Sequence, residues 1–108
     1  MRVDPSIPPH AFARLFWYPT SRGGRRTPAG PFQLTYPVSI DQHEQLNDCT
    51  FMLDSVGRWS EPGETVEDVP IRFFAIEMLP APLAVGQRLY LREGARLIGE
   101  ASVERVVS

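Results

Sequence analysis

A chain of 108 residues, of which 43% are hydrophobic and 22% charged, is long enough to bury one hydrophobic core and too short for two. Its formal net charge of −2 argues against a general nucleic-acid-binding protein, which needs an excess of cations, and no apolar run approaches the length of a membrane helix. The first residues contain no apolar signal segment, and the single cysteine cannot form an internal disulfide, so we expect a cytoplasmic protein.

The chain opens with a proline-rich stretch and continues as short apolar runs separated by proline and glycine. Residues 1–9 contain three prolines and are predicted to form an N-terminal arm, and residues 10–108 to form a single β-barrel domain. Runs rich in Val, Ile, Phe, Tyr and Trp predict six strands, at residues 11–18, 32–40, 49–53, 70–79, 87–93 and 96–107. The predicted fold class is therefore all-β, a small six-stranded antiparallel β-barrel.

Three local features refine this prediction. In the last strand, alternation places Ala101, Val103 and Arg105 on one face. The strand is preceded by a tight connection in which Gly94 can adopt a positive φ. Pro37 interrupts the second strand, which predicts an edge position or a bulge there, because proline cannot donate to a neighbouring strand.

The stretch SRGGRRTPAG, residues 21–30, concentrates positive charge in a flexible loop. Arg22, Arg25 and Arg26 surround Gly23 and Gly24. Guanidinium groups and free backbone amides in such a loop are suited to binding phosphates or carboxylates. The alternative is structural: the glycines only let the loop reverse, and the arginines are solvated or stacked on barrel aromatics.

The predicted hairpin between the last two strands offers a second basic point. Arg92, Gly94 and Arg96 would extend a binding site if the barrel brought them to the same end as the arginine loop. The alternative is an ion pair between arginine and Glu93 across the turn, which contributes little at a protein surface.

Aromatic residues indicate a candidate interface. The first predicted strand is apolar on both faces, so its outer side needs a cover, either the N-terminal arm or a partner. Phe16, Trp17 and Tyr18 are the candidate interface residues on this strand. Arg58 and Trp59 are candidate anchors, because arginine and tryptophan dominate binding hot spots.

Asp41, His43 and Cys49 lie within nine residues and could suggest a catalytic cysteine with a base. The residues around Cys49 are hydrophobic, however, which favours a buried thiol. No pair of His and Cys residues has a recognised metal-ligand spacing. We expect no enzyme activity, no metal and no cofactor.

Two motifs resemble the C-terminal domain of translation elongation factor Tu. SRGGRRTP (21–28) resembles the GGR-x-TP loop of that domain, and LREGARLIGEASVERVV (91–107) resembles its closing hairpin, whose pattern is REGG-R-x-x-G. PAPLAVGQRLYL (80–91) matches the segment between them, so the resemblance spans residues 11 to 107. It implies a six-stranded antiparallel barrel, which in the full-length factor follows a GTPase domain and a second barrel.

In that family the barrel packs against the GTPase domain and holds the T-stem of aminoacyl-tRNA. Carried over by position, the site residues implied are Gly23, Gly24, Arg25 and Arg26 in the loop and Gly94 and Arg96 in the hairpin. This sequence departs from the family pattern in four places: Ala95 replaces a glycine, Leu79 replaces a basic residue, the YRPQ segment is missing, and about five extra residues follow Pro62-Gly63. No P-loop pattern is present, so GTP binding is not expected.

These observations predict a non-catalytic binding module with no GTP and no membrane association. A protein partner is favoured, because the pI is about 5.6 and the basic residue at position 79 is lost. That partner could belong to the translation apparatus, with this protein as a mimic, or be a toxin or effector, with this protein as a small immunity or inhibitor protein. The alternatives are a tRNA or other RNA stem bound through the arginine loop, and a homodimer.

Overall fold

Six strands form a closed antiparallel barrel in the computed structural model, which describes residues 8–41 and 44–107. Around the barrel the strands follow the order β1-β4-β3-β2-β5-β6. Their bounds are Ala11–Trp17 (β1), Gln33–Ile40 (β2), Leu46–Met52 (β3), Thr65–Phe73 (β4), Arg88–Glu93 (β5) and Arg96–Val106 (β6). The predicted fold class, an all-β six-stranded antiparallel barrel, is confirmed. Most of the predicted arm, residues 1–7, lies outside the described residues.

The core is built by simple alternation along the strands. In β1, Ala11, Ala13, Leu15 and Trp17 are buried in the barrel, and the residues between them face outward. Large apolar side chains from each of the other five strands pack against them; examples are Val38, Phe51, Ile71, Leu89 and Ile98. Each fully buried side chain of this size contributes about 1.5–3 kcal/mol through burial.

The fourth strand is displaced from its prediction. It was expected at residues 70–79 but runs from Thr65 to Phe73, and residues Ile76–Met78 form a 3₁₀ turn. The register of β4 against β1 shifts between Val66 and Val69, and Asp68 has a φ of +53°. This bulge breaks the alternation of apolar and polar residues in the first half of the strand. Residues 65–69 were therefore not predicted as part of it.

A second bulge, in β6, turns Arg105 outward, so its predicted position on the inner face was wrong. In the β1–β6 ladder Phe12 pairs with Arg105 and Ala13 pairs with Val103, so Glu104 is the extra residue. Beyond the bulge the strand has changed phase, and Arg105 faces outward instead of sharing the inner face with Val103. Its guanidinium lies 4.1 Å from the centre of the Phe12 ring.

Pro37 sits where its missing donor is tolerated. β2 pairs with β3 along nearly all of its length, but with β5 only from Val38 to Ile40. Pro37 therefore lies just outside the β5 ladder, and β2 is locally an edge on that side.

The antiparallel order fixes which loops meet. The β1–β2 connection, the β3–β4 connection and the β5–β6 hairpin lie at one end, here called the arginine end. The β2–β3 and β4–β5 connections lie at the other, here called the acidic end. The two basic stretches that sequence analysis singled out are thus at the same end of the barrel.

His10 ties the start of the barrel to the end of β4. Its Nδ1 atom accepts a hydrogen bond from the backbone N–H of Phe73 at 3.0 Å, and its ring stacks on that of Phe73. Burial, and then the nearby Arg72 guanidinium, lower the pKa of His10 below its usual value of 6.5. The neutral ring is therefore the form that fits the folded protein.

A pH dependence of stability follows from this lowered pKa. The unfolded chain binds the His10 proton near pH 6.5 and the folded protein only at lower pH, so stability is complete above 6.5 and falls as pH decreases through the folded pKa. The effect is limited to about 1 kcal/mol, the worth of one hydrogen bond at a partly exposed ring. Urea unfolding between pH 5 and pH 8 measures it. In His10→Asn, whose amide oxygen can accept the same bond without titrating, this slope should be absent; an unchanged slope would assign it to another group.

Candidate binding end of the barrel

The arginine loop uses its own backbone amides. After β1, Thr20–Arg22 form a 3₁₀ turn that ends at Gly23, whose φ is +84°. The N–H groups of Arg22 and Gly24 donate to the carbonyl oxygen of Pro19 at 2.9 and 3.1 Å, and that of Gly23 to the carbonyl of Thr20 at 3.1 Å. These three amides are therefore not available to a phosphate, and the glycines serve the reversal of the loop.

Arg25 is part of the barrel rather than of its surface. It is half-buried, donates a hydrogen bond from Nη1 to the hydroxyl of Tyr36, and lies 5.9 Å from the centre of the Trp17 ring. Burial raises the pKa of Tyr36, although Arg25 opposes the rise. Arg25 thus closes this end of the barrel over two buried aromatic residues. This contact agrees with the structural alternative, in which loop arginines stack on barrel aromatics.

The other two loop arginines are exposed, and they differ. The guanidinium of Arg22 lies 4.4 Å from the centre of the Tyr18 ring. Tyr18 is 7% exposed and contacts Phe16 edge to face. Burial, followed by the negative charge of Glu100, raises the pKa of Tyr18. Arg26 is exposed and makes no hydrogen bond or ion pair within residues 8–41 and 44–107.

The closing hairpin is a two-residue turn with Gly94 and Ala95 between β5 and β6. Gly94 has a φ of +64° while Ala95 does not have a positive φ, which fits a type II′ turn. Arg96 pairs with Glu93 at 2.9 Å, which is the ion pair expected as the alternative to ligand binding. Arg92 is half-buried, and among the described residues its Nε has no hydrogen-bond partner.

Two of the candidate interface residues are not accessible to a partner. Trp17 is 2% exposed, points into the barrel and donates from its indole N–H to the hydroxyl of Ser60 at 2.9 Å. Tyr18 is also buried, beneath Arg22. The outer side of β1 is instead covered within the chain, because Arg105 lies on Phe12 and Arg22 lies on Tyr18. Phe16 is half-buried.

Trp59 is exposed as an anchor would be, and it is joined by Phe32, which sequence analysis did not single out. The two side chains are 58% and 57% exposed, and their ring centres lie 6.2 Å apart in an edge-to-face arrangement. Phe32 directly follows Gly30-Pro31, and an aromatic residue placed beside a turn was the signal available in the sequence. The pair forms an exposed aromatic surface at the arginine end.

Backbone contacts hold this aromatic pair in place. Ala29 and Ser60 exchange two backbone hydrogen bonds, each 2.8 Å long, which join the β1–β2 and β3–β4 connections. Gly30 leaves room for the Phe32 ring in this position, since a Cβ there would lie 2.5 Å from the ring and the ring would have to shift. Arg58 donates to the Trp59 carbonyl at 3.1 Å and pairs with Glu64. Arg58 therefore supports the surface rather than extending freely from it.

Cys49 is chemically inert in the fold. Its side chain is completely buried, and burial raises the pKa of the thiol far above its usual range. His43 lies outside the described residues. In the part of the chain that the structure describes, no group of three His, Cys, Asp or Glu side chains could hold a metal ion. Nor does any helix there have the length and apolar character to cross a membrane.

The geometry at the arginine end thus combines an exposed aromatic pair, an exposed guanidinium at Arg26, and further arginines engaged by the barrel itself. Comparison with known proteins gives no assignment: no protein-family model matches the chain, and no curated protein matches its sequence.

Proposed function

We propose that this protein is a non-catalytic binding module whose arginine end contacts a protein partner. The observation that carries the proposal is the aromatic pair of Phe32 and Trp59, more than half exposed yet held by paired backbone segments. Exposed aromatic side chains on a rigid support are the usual anchors of protein interfaces. Arg22 and Arg26, in the same β1–β2 connection as Phe32, are exposed and supply positive charge at this end of the barrel.

An RNA stem is the less favoured ligand. Three of the loop amides are already hydrogen-bonded, Arg25 is bound to Tyr36 and Arg96 to Glu93, so few donors and cations remain for phosphates. The net charge of −2 also opposes a nucleic-acid partner at long range.

We further infer that the chain is related to the C-terminal barrel of elongation factor Tu. The closed six-stranded barrel, and the position of the GGR loop and the closing hairpin at one end, support this inference. A translation-related mimic and a small immunity or inhibitor protein both agree with such a module. The identity of the bound protein distinguishes them.

Affinity capture with matched variants tests the proposal. Wild-type protein, Phe32→Ser/Trp59→Ser and the control Val85→Ser are tagged and incubated with lysate from the source cells. Because all three side chains are more than half exposed, the variants should keep the fold. We expect a protein to be recovered in stoichiometric amount with the wild type and the control, and at least about ten-fold less with the aromatic variant. Equal recovery with all three proteins would reject the arginine end as the site.

Binding of a fluorescent RNA hairpin tests the alternative. If RNA is the ligand, its affinity must fall steeply with salt, and Arg22→Ala/Arg26→Ala must reduce the slope of log K against log salt by about 1–2. The proposal predicts weak binding whose salt slope does not change in this variant. A steep slope that the double variant reduces would favour RNA.

A further inference from the structure

The two connections at the acidic end of the barrel carry only acidic charge, although Arg72 and Arg88 lie in the adjoining strands. The sequence stretches 41–48 and 74–87 contain no lysine or arginine. Their four acidic residues, Asp41, Glu44, Asp48 and Glu77, are all exposed, and none forms an ion pair with another described residue. Elsewhere among the described residues five glutamates are each paired with an arginine, whereas Asp54, Glu61 and Asp68 are not. What distinguishes this end is that its two connections contain no basic residue beside their acids.

Apolar side chains are exposed between these acids. Phe74 is 71% exposed, Met78 57% and Leu46 49%, and the three line a surface cavity of about 260 Å³. The acids Asp48 and Glu77 are next to them in the chain, and Asp48 also lines the cavity. An open cavity lined by exposed apolar side chains and by Asp48 is therefore present at this end.

The walls of the cavity are tied together without a ligand. The backbone N–H of Phe74 donates to the carbonyl of Asp48 at 2.9 Å, and the Gln45 side chain donates to the carbonyl of Met78 at 3.2 Å. These bonds join the β2–β3 and β4–β5 connections, so the surface is preformed and little ordering is needed on binding.

We propose that the acidic end is a second docking surface, and that it takes a basic polypeptide segment with an apolar anchor. The apolar side chain enters the cavity beside Phe74 and Met78, and arginine or lysine side chains meet Asp48 and Glu77. The same carboxylates repel phosphates, which opposes nucleic acid and anionic lipid at this end. This inference is independent of the partner at the arginine end. With both ends occupied, the protein joins two partners.

Peptide binding tests this surface. The probe is a short fluorescent peptide in which pairs of arginines flank Leu-Phe-Leu; one control peptide carries glutamates in place of the arginines, and another carries serines in place of the apolar residues. We expect the probe to bind wild-type protein at least about ten-fold more tightly than either control peptide. Phe74→Ser/Met78→Ser should weaken the probe by a similar factor, while Phe32→Ser/Trp59→Ser at the other end should leave it unchanged.

Charge exchange supplies a second criterion. Asp48→Lys/Glu77→Lys should lose the arginine probe and gain affinity for the glutamate control peptide, which a merely unfolded variant could not do. No binding of the probe below about 1 mM, or equal binding by wild type and Phe74→Ser/Met78→Ser, would overturn the proposal. Sedimentation of the wild type as oligomers, abolished by changes at either end, would assign the surface to a second copy and overturn it as well.

Discussion

Replacing Gly24 with alanine is expected to destabilise the protein by about 3 kcal/mol or more. A Cβ at this position would lie 1.9 Å from the carbonyl oxygen of Tyr18 and 2.9 Å from that of Pro19. Both atoms belong to the backbone, so no side-chain rotation relieves the overlap. Pro19 is also the acceptor for two amides of the loop, and the whole turn must therefore shift. Urea unfolding followed by far-ultraviolet circular dichroism measures the loss.

The neighbouring glycine is the matched control. Unlike Gly24, Gly23 has a backbone conformation that favours glycine, with a φ of +84°, but a Cβ there meets no atom within 4 Å. Gly23→Ala should therefore cost only the strain of a left-handed residue, about 1–2 kcal/mol. Equal losses for the two substitutions would show that the close approach of Gly24 to Tyr18 is not what the loop requires.

Trp17→Ala should cost about 3–5 kcal/mol, the second of the two largest effects. The indole fills the arginine end of the core, with Tyr36 edge to face at 6.1 Å and Arg25 above it. Its removal leaves a cavity and removes the ring on which the Arg25 guanidinium lies. It also leaves the buried hydroxyl of Ser60 without the indole donor. The midpoint of urea unfolding should fall accordingly, provided that the slope of the transition stays unchanged.

A double-mutant cycle separates the hydrogen bond from the packing. Trp17→Phe removes the donor to the Ser60 hydroxyl, which keeps only a 3.5 Å hydrogen bond to the Ala29 carbonyl, and Ser60→Ala leaves the buried indole N–H unsatisfied. Each change should cost about 1–3 kcal/mol. The double variant removes both the indole N–H and the Ser60 hydroxyl. Its free energy of unfolding should therefore fall by less than the sum of the two single decreases. Strict additivity would mean that the indole N–H and the Ser60 hydroxyl do not support each other.

The fold was predictable because the barrel is made of short strands whose ends coincide with proline and glycine. Five of the six strands lie within a few residues of their predicted bounds. The exception, β4, contains a bulge around Glu67 and Asp68 that displaces Val66 from the alternation with Val69 and Ile71. Arg105 was assigned to the wrong face for the same reason. A bulge depends on the partner strand, so the sequence of one strand does not reveal it.

The candidate site was predictable only in part. The arginine loop and the closing hairpin do lie at one end, but the roles of their residues depend on contacts across the barrel. Arg25 meets Tyr36 and Trp17, which are distant in the chain, and this distinguishes a structural arginine from an exposed one such as Arg26. The apolar outer side of β1 suggested a partner, whereas Arg22 and Arg105 from other segments cover it. Phe32 was missed because its exposure follows from the bridge between Ala29 and Ser60.

Site-specific photo-crosslinking in the source cells tests the central claim most directly. A photoreactive phenylalanine analogue is placed at position 59 or 32 at the arginine end, and at position 104 on the side of the barrel, where Glu104 is exposed. The account predicts one discrete adduct with the same protein from positions 59 and 32, resistant to ribonuclease, and none from position 104. Adducts with RNA, or the same protein crosslinked equally from all three positions, would contradict a protein-binding surface formed by Phe32 and Trp59.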